Sequence, residues 1–277
     1  KYRKRKQYSF VFLRYNINRK CNSILMKKTY LIILFWIVAQ IAQGQKPWDD
    51  LNTYRQNKVQ PHSIVVPYSN EEDINTLDYR SSTYYRSLNG VWKFLYVDSP
   101  EKIPTGSTAE NYNISTWNDI QVPGNIELQG FGVPVYVNER NEFASNPPHP
   151  PAEYNPVGCY ATNFVLPQEW NGRRTLIKFG AVKSALRLYV NGQYVGYSED
   201  SKTPAEWDIT KYLHPDTNRI VAQVLRWCDG SYLECQDMWR MSGITRDVAI
   251  YSVPQVYLSD YLVRACLDSN DYKSGII

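Results

Sequence analysis

Leu188-Tyr189-Val190-Asn191-Gly192-Gln193-Tyr194-Val195 is the stretch that decides the fold. Asn-Gly between two runs rich in β-branched and aromatic residues is what a tight type I′ turn needs, because both central residues must take positive φ. The stretch therefore reads as a β-hairpin. Working outward, similar short alternating runs lie at residues 91–96, 158–165, 174–179, 205–209, 219–226 and 247–251, with Gly, Pro and Asn turn signals between them. No apolar period of 3.6 lasts beyond roughly two turns anywhere after residue 44, so helices are not the framework. Many strands at short spacing predict an all-β chain whose main body, residues 85–253, is a jelly-roll β-sandwich.

The flanks read differently. Residues 45–84 are polar, carry Pro61-His62 and Pro67-Tyr68-Ser69-Asn70, and keep no regular period, which predicts an extended arm with short turns. Past Pro254, residues 256–265 alternate again, but one strand cannot bury its own face. Either this run adds an edge strand to the sandwich or residues 254–277 open a second β domain, and the second reading is preferred. At the front, Met26-Lys27-Lys28, an apolar run over residues 31–41 and Ala42-Gln43-Gly44 read as a secretory signal peptide, residues 26–44. The run is too short for a bilayer, which needs ~20 residues. Residues 1–25 precede that start and read as mis-called upstream codons.

Charge follows the same division. The formal net charge is +4, yet residues 1–44 hold ten of the 31 Lys and Arg and none of the 27 Asp and Glu. The remainder has 21 basic residues against 27 acidic ones, which argues against a phosphate backbone as partner. Cys159, Cys228, Cys235 and Cys266 are too few and scattered for a disulfide scaffold. Cys228 and Cys235 either bridge or stay as two buried thiols. His62, His149 and His214 are dispersed, with no Cys-x-x-Cys pair, so the sequence offers no zinc signature.

Two segments are unusual in polar density. One is Pro134-Val135-Tyr136-Val137-Asn138-Glu139-Arg140-Asn141-Glu142-Phe143, followed by the proline-rich residues 146–151. The other runs from Arg226-Trp227-Cys228-Asp229-Gly230 through Glu234-Cys235-Gln236-Asp237-Met238-Trp239-Arg240-Met241-Ser242-Gly243. Three acids, two Arg and two Trp make a poor core strand, and the stretch reads as a long loop with internally paired charges. From the residues alone Asp237 equally suits a salt bridge to Arg240 or Arg246, or a ligand contact. Asn138 alone reads as a turn residue, Trp227 and Trp239 as packing residues, and Asp229-Gly230 as a turn.

The second segment resembles the signature of the sugar-binding domain of family 2 glycoside hydrolases, the large β-galactosidases in particular. Leu88-Asn89-Gly90-Val91-Trp92, Val122-Pro123-Gly124-Asn125, Asn155-Pro156-Val157-Gly158-Cys159-Tyr160, Asp200-Ser201-Lys202-Thr203-Pro204 and Arg246-Asp247-Val248 match in the same order, over residues 50–260. The resemblance implies a galactose-binding-like jelly roll followed by the first strand of an immunoglobulin-like domain at residues 254–277. It implies that Asn138 and Asp237 reach galactose hydroxyls and that Asp237 ligates sodium; Cys235, where the family often has Asp, lowers the charge beside it. It places both catalytic carboxylates, needed ~5–5.5 Å apart for a retaining mechanism, and the Mg2+ ligands on a (β/α)8 barrel that follows. No segment here has that barrel's alternating pattern, so no catalytic residue is nominated in this chain and Glu234 is not a candidate. The expected partners are a galactoside or other glycan, the barrel domain, and a further copy in an oligomer. The expected location is periplasmic or secreted. A free-standing carbohydrate-binding module is the alternative from another class, and the same domain of a β-glucuronidase or β-mannosidase is the nearer one.

Overall fold

The computed structural model describes residues 46–138, 141–234, 237–269 and 272–277. The upstream segment, the signal peptide, Cys21 and Cys235 lie outside the described residues. Residues from Pro47 onward form one compact unit.

The unit is a β-sandwich of jelly-roll type. A seven-stranded antiparallel sheet runs in the order Arg55–Gln56, Gln193–Ser198, Ala185–Val190, Thr217–Leu225, Val157–Val165, Gly90–Val97, Asn118–Val122. A four-stranded sheet runs Ala205–Asp208, Arg174–Phe179, Val248–Val253, Tyr85–Ser87. Each run expected within residues 85–253 is a strand to within two residues at either end. The hairpin is present, with Val190 opposite Gln193 and positive φ at Asn191 (49°) and Gly192 (76°). The Asn191 amide is buried and donates to Tyr212 O at 2.8 Å and Asn218 Oδ1 at 2.7 Å, tying the turn to its neighbours.

Between the sheets lies a core in which Trp92, Phe94, Ile120, Leu186, Leu188 and Val224 of one face meet Ile177, Phe179, Trp207 and Ile250 of the other. Truncating one of the fully buried Trp residues to Ala would cost about 3–5 kcal/mol. The outer faces are covered as well. Trp48 and Trp117 pack on Ala185, Tyr197, Val221 and Leu225, with the Arg187 guanidinium 4.8 Å from the Trp48 ring. Across the molecule Val59, Ile64 and Val66 pack on Leu176, Tyr251 and Val253. The arm therefore grips the sandwich from both sides. Its short strand lies so close that a Cβ at position 196 would sit 2.4 Å from Gln56 O, which only Gly196 allows.

One expectation is corrected, and one strand is added. Residues 256–265 form no strand; Val256 is 92% exposed, and Ser63 holds the run by donating its N–H to Asp260 Oδ1 and its hydroxyl to Tyr261 O, both at 2.8 Å. Alternation yields a ladder only where a sheet edge is available to accept it. Asn118–Val122 was not anticipated as a strand, because its polar half, Asn118, Asp119 and Gln121, is exposed while Ile120 and Val122 are buried.

Candidate functional site

The two polar segments meet. Val135–Val137 and Met238–Arg240 form a two-stranded antiparallel ribbon in which Val137 faces Met238, Tyr136 faces Trp239 and Val135 faces Arg240. Asp237 N donates to Asn138 O at 2.9 Å, carrying the ladder one rung further. Asn138 and Asp237 are thus neighbours, and both are exposed. Tyr136 and Trp239, 52% and 55% exposed, stand edge to face with ring centroids 5.6 Å apart. Because alternate residues of a strand share a face, Tyr136 emerges on the side of Asn138, and its hydroxyl donates to Asp237 Oδ1. That bond favours the protonated phenol and raises the Tyr136 pKa. Asp237 itself sits at φ 30°, a left-handed conformation that Asp tolerates better than most residues.

Beneath the ribbon the charges are paired and buried, as a rigid mount requires. Arg240 turns inward, with Nε 3.6 Å from Glu142 Oε2 and Nη1 donating to Glu234 O. Arg226 donates through Nη2 to Val133 O at 2.8 Å and Arg240 O at 3.3 Å, so one guanidinium ties the second strand to the segment leading into the first. Its Nη1 lies 3.5 Å from Glu127 Oε1. Glu127 in turn accepts from Ser242 N at 2.8 Å and Ser242 Oγ at 2.7 Å. Trp227 exchanges two 3.0 Å hydrogen bonds with the Asn155 amide and stacks against Phe143 at 5.3 Å. A cavity of about 650 Å3 opens on the ribbon's flank, between Val133 and Val135 and the proline-rich turn at Pro150 and Pro151.

Several sequence expectations resolve here. Asp237 pairs with neither Arg240 nor Arg246: the first is engaged by Glu142, and the second is exposed beside Asp247 on another cavity. Trp227 is buried as expected, whereas Trp239 is not a packing residue. The expected loop is a 3-10 helix, Asp229–Glu234, followed by a strand. Cys228 is a buried free thiol.

Asp229 is more than a turn residue. Its carboxylate, the Glu199 carboxylate and the Cys228 thiol place ligand-type atoms within 4.8 Å of one another, all buried. Glu199 Oε1 and Asp229 Oδ2 find no hydrogen-bond donor among the described residues. Burial, and then Asp229 beside it, push the Glu199 pKa up to about 8, so at neutral pH a proton held between the two carboxyls meets the shortage. This pair was missed because Glu199 and Asp229 are 30 positions apart and each follows a strand end that reads as an ordinary turn. Tyr136 was also missed; its i, i+2 spacing from Asn138 was the available signal.

Comparison with known proteins places the chain in a family. Residues 85–254 match the profile described as glycosyl hydrolases family 2, sugar binding domain. The chain is 41% identical over 239 residues to a β-galactosidase of Priestia megaterium, covering 84% of this chain and 23% of that protein. It is 41% identical over 224 residues to a β-galactosidase of Psychromonas ingrahamii, covering 81% of this chain and 21% of that protein. The chain thus spans under a quarter of these relatives. Among solved structures, a β-glucuronidase from an uncultured Clostridium superposes with a TM-score of 0.51 at 21% identity, over 67% of this chain and 31% of that one. A Ruminococcus gnavus β-glucuronidase superposes at 0.50 and 22% identity, over 68% and 32%. At that identity they bear on the fold alone. The chain belongs to glycoside hydrolase family 2, and residues 85–254 are its sugar-binding domain.

Proposed function

We propose that this chain is the amino-terminal part of a β-galactosidase that releases terminal non-reducing β-D-galactose, and that it supplies one wall of the galactose pocket through Asn138 and Asp237. The observation that carries the reading is the ribbon: it sets an amide and a carboxylate side by side at an exposed tip. An amide that both donates and accepts, beside a carboxylate that only accepts, suits adjacent sugar hydroxyls. The identity shared with β-galactosidases over most of the chain supports the choice of sugar.

Asp237 also suits a sodium ion. Its carboxylate is exposed, and the Tyr136 hydroxyl takes one oxygen, leaving the other to serve as a hard ligand. Sodium there would add positive charge where hydroxyl oxygens gather, and the remaining ligands would come from the partner domain and the sugar. The retaining chemistry, with its two carboxyl groups about 5–5.5 Å apart and its Mg2+, belongs in this reading to a catalytic barrel in the longer protein. Residues 254–277 lead toward an immunoglobulin-like domain, and residues 26–44 direct export to the periplasm or beyond.

The test is an assay of the purified chain against a chromogenic β-galactoside. The reading expects no turnover. Hydrolysis that survives replacement of both Asn138 and Asp237 by Ala would overturn the division of labour.

A further inference from the structure

The arm crosses the outer face of the four-stranded sheet and leaves two adjoining hollows beside it, of about 390 Å3 and 400 Å3. They share Lys178 and Pro204 in their walls. Arg55 and Lys58 border the first, Arg246 the second, and Lys178 stands between. None of these four cations makes an ion pair among the described residues, a state they share with Arg173, Arg187 and Arg219, which are held by hydrogen bonds or a ring face. Three carboxylates stand in the same walls, and each accepts hydrogen bonds. Glu206 holds His62 Nε2 at 2.9 Å and the Tyr251 hydroxyl. Asp247 accepts from Asn89 at 2.9 Å, and Asp200 accepts from the Thr203 hydroxyl. Four cations against three carboxylates give the groove a small positive excess on a body with 21 basic and 27 acidic residues after position 44.

Aromatic rings line the same groove. Tyr79 and Tyr85 stand edge to face at 5.6 Å in the second hollow, and Tyr54 borders the first. Phenol faces beside guanidinium and ammonium groups suit a pyranose ring that carries a negative group. Each hollow falls in the size range of small-ligand sites. Burial also lowers the Lys58 pKa, so an anion at that ammonium would relieve a desolvated charge.

We propose that this groove is a second sugar site, separate from the Asn138 and Asp237 ribbon, and that it binds anionic saccharides bearing a carboxylate or a sulfate. It holds the polysaccharide by its charged units and does not depend on which sugar the ribbon takes.

The experiment titrates the full chain with three oligosaccharides of equal length: an oligogalacturonate, a sulfated galacto-oligosaccharide and a neutral galacto-oligosaccharide, each at low and high salt. At least one anionic ligand binds about tenfold or more tighter than the neutral one, and salt weakens it, since partly exposed charges are screened. The uronate and sulfate arms show which charged group is held. Lys178→Gln with Arg246→Gln weakens the anionic ligand about tenfold, with an unchanged circular dichroism spectrum, while Asn138→Ala with Asp237→Ala leaves it unchanged. Equal affinity for neutral and anionic ligands, no binding of either anion, or binding indifferent to salt on the unsubstituted chain would each overturn the proposal, even if the double Gln variant failed to fold.

Discussion

Asp237 gives its backbone N–H to the carbonyl of Asn138 at 2.9 Å, so two residues 99 positions apart in the chain face each other across one rung of the ladder. Their spacing is set by backbone pairing and not by flexible side chains. The Tyr136 hydroxyl then fixes the carboxylate's orientation.

Tyr136→Phe removes that hydroxyl and leaves the ribbon intact. Galactose affinity of the assembled enzyme is expected to fall roughly three- to tenfold, the range of one hydrogen bond, with thermal stability unchanged. A calorimetric titration reads it; a loss as large as that of Asp237→Ala would mean that Tyr136 touches the sugar itself.

Glu127 and Arg226 are almost fully buried beneath the ribbon. Glu127→Ala strands the guanidinium and is expected to cost about 3–5 kcal/mol, the usual penalty for one half of a buried pair. Urea unfolding checks this through a lower midpoint at constant slope. Glu127→Met with Arg226→Met should recover much of the loss, because no unpaired charge remains.

Gly192 carries φ 76° in the hairpin turn. A Cβ there would meet only ordinary contacts, the nearest at 3.4 Å from Ala109, so strain of the backbone is the main effect. Gly192→Ala is expected to cost about 1 kcal/mol, lowering Tm by about 2–4 °C in a domain of this size.

The Glu199 carboxyl keeps its proton up to about pH 8 in the folded chain, while in the unfolded chain it releases it near the ordinary 4.5. The folded state therefore binds more protons across that interval, and the stabilisation is complete below about pH 4.5 and lost as pH rises through about 8. Glu199→Gln, which mimics the protonated form, should match the unsubstituted chain near pH 5 and exceed its Tm above pH 8. If adding a divalent cation at pH 8 instead stabilises the unsubstituted chain alone, a cation and not a proton joins Glu199 to Asp229.

The sandwich was legible in the sequence because its strands alternate over a double-faced core and its turns carry Gly, Pro and Asn at the positions that need them. Asn191-Gly192 specified a turn from local chemistry alone. The ribbon was less legible: Val135–Val137 and Met238–Arg240 are three residues each, too short for a period to show. Residues 256–265 misled for the opposite reason, since they carry a strand's pattern without a strand's partner. Burial of Asp229 against Glu199 left no trace, because pairing between distant turns depends on the tertiary fold. Asn138 and Asp237 were found through resemblance to a family motif, and the structure adds that they are adjacent and exposed.

The most direct test of the central claim is chemical-shift mapping of the isotopically labelled chain with methyl β-D-galactoside. The account predicts that the Asn138 side-chain amide and the backbone amides of Asp237 and Trp239 move together, and that Asn138→Ala with Asp237→Ala abolishes the response. Shifts confined to another face of the sandwich, or unchanged in the double variant, would contradict it.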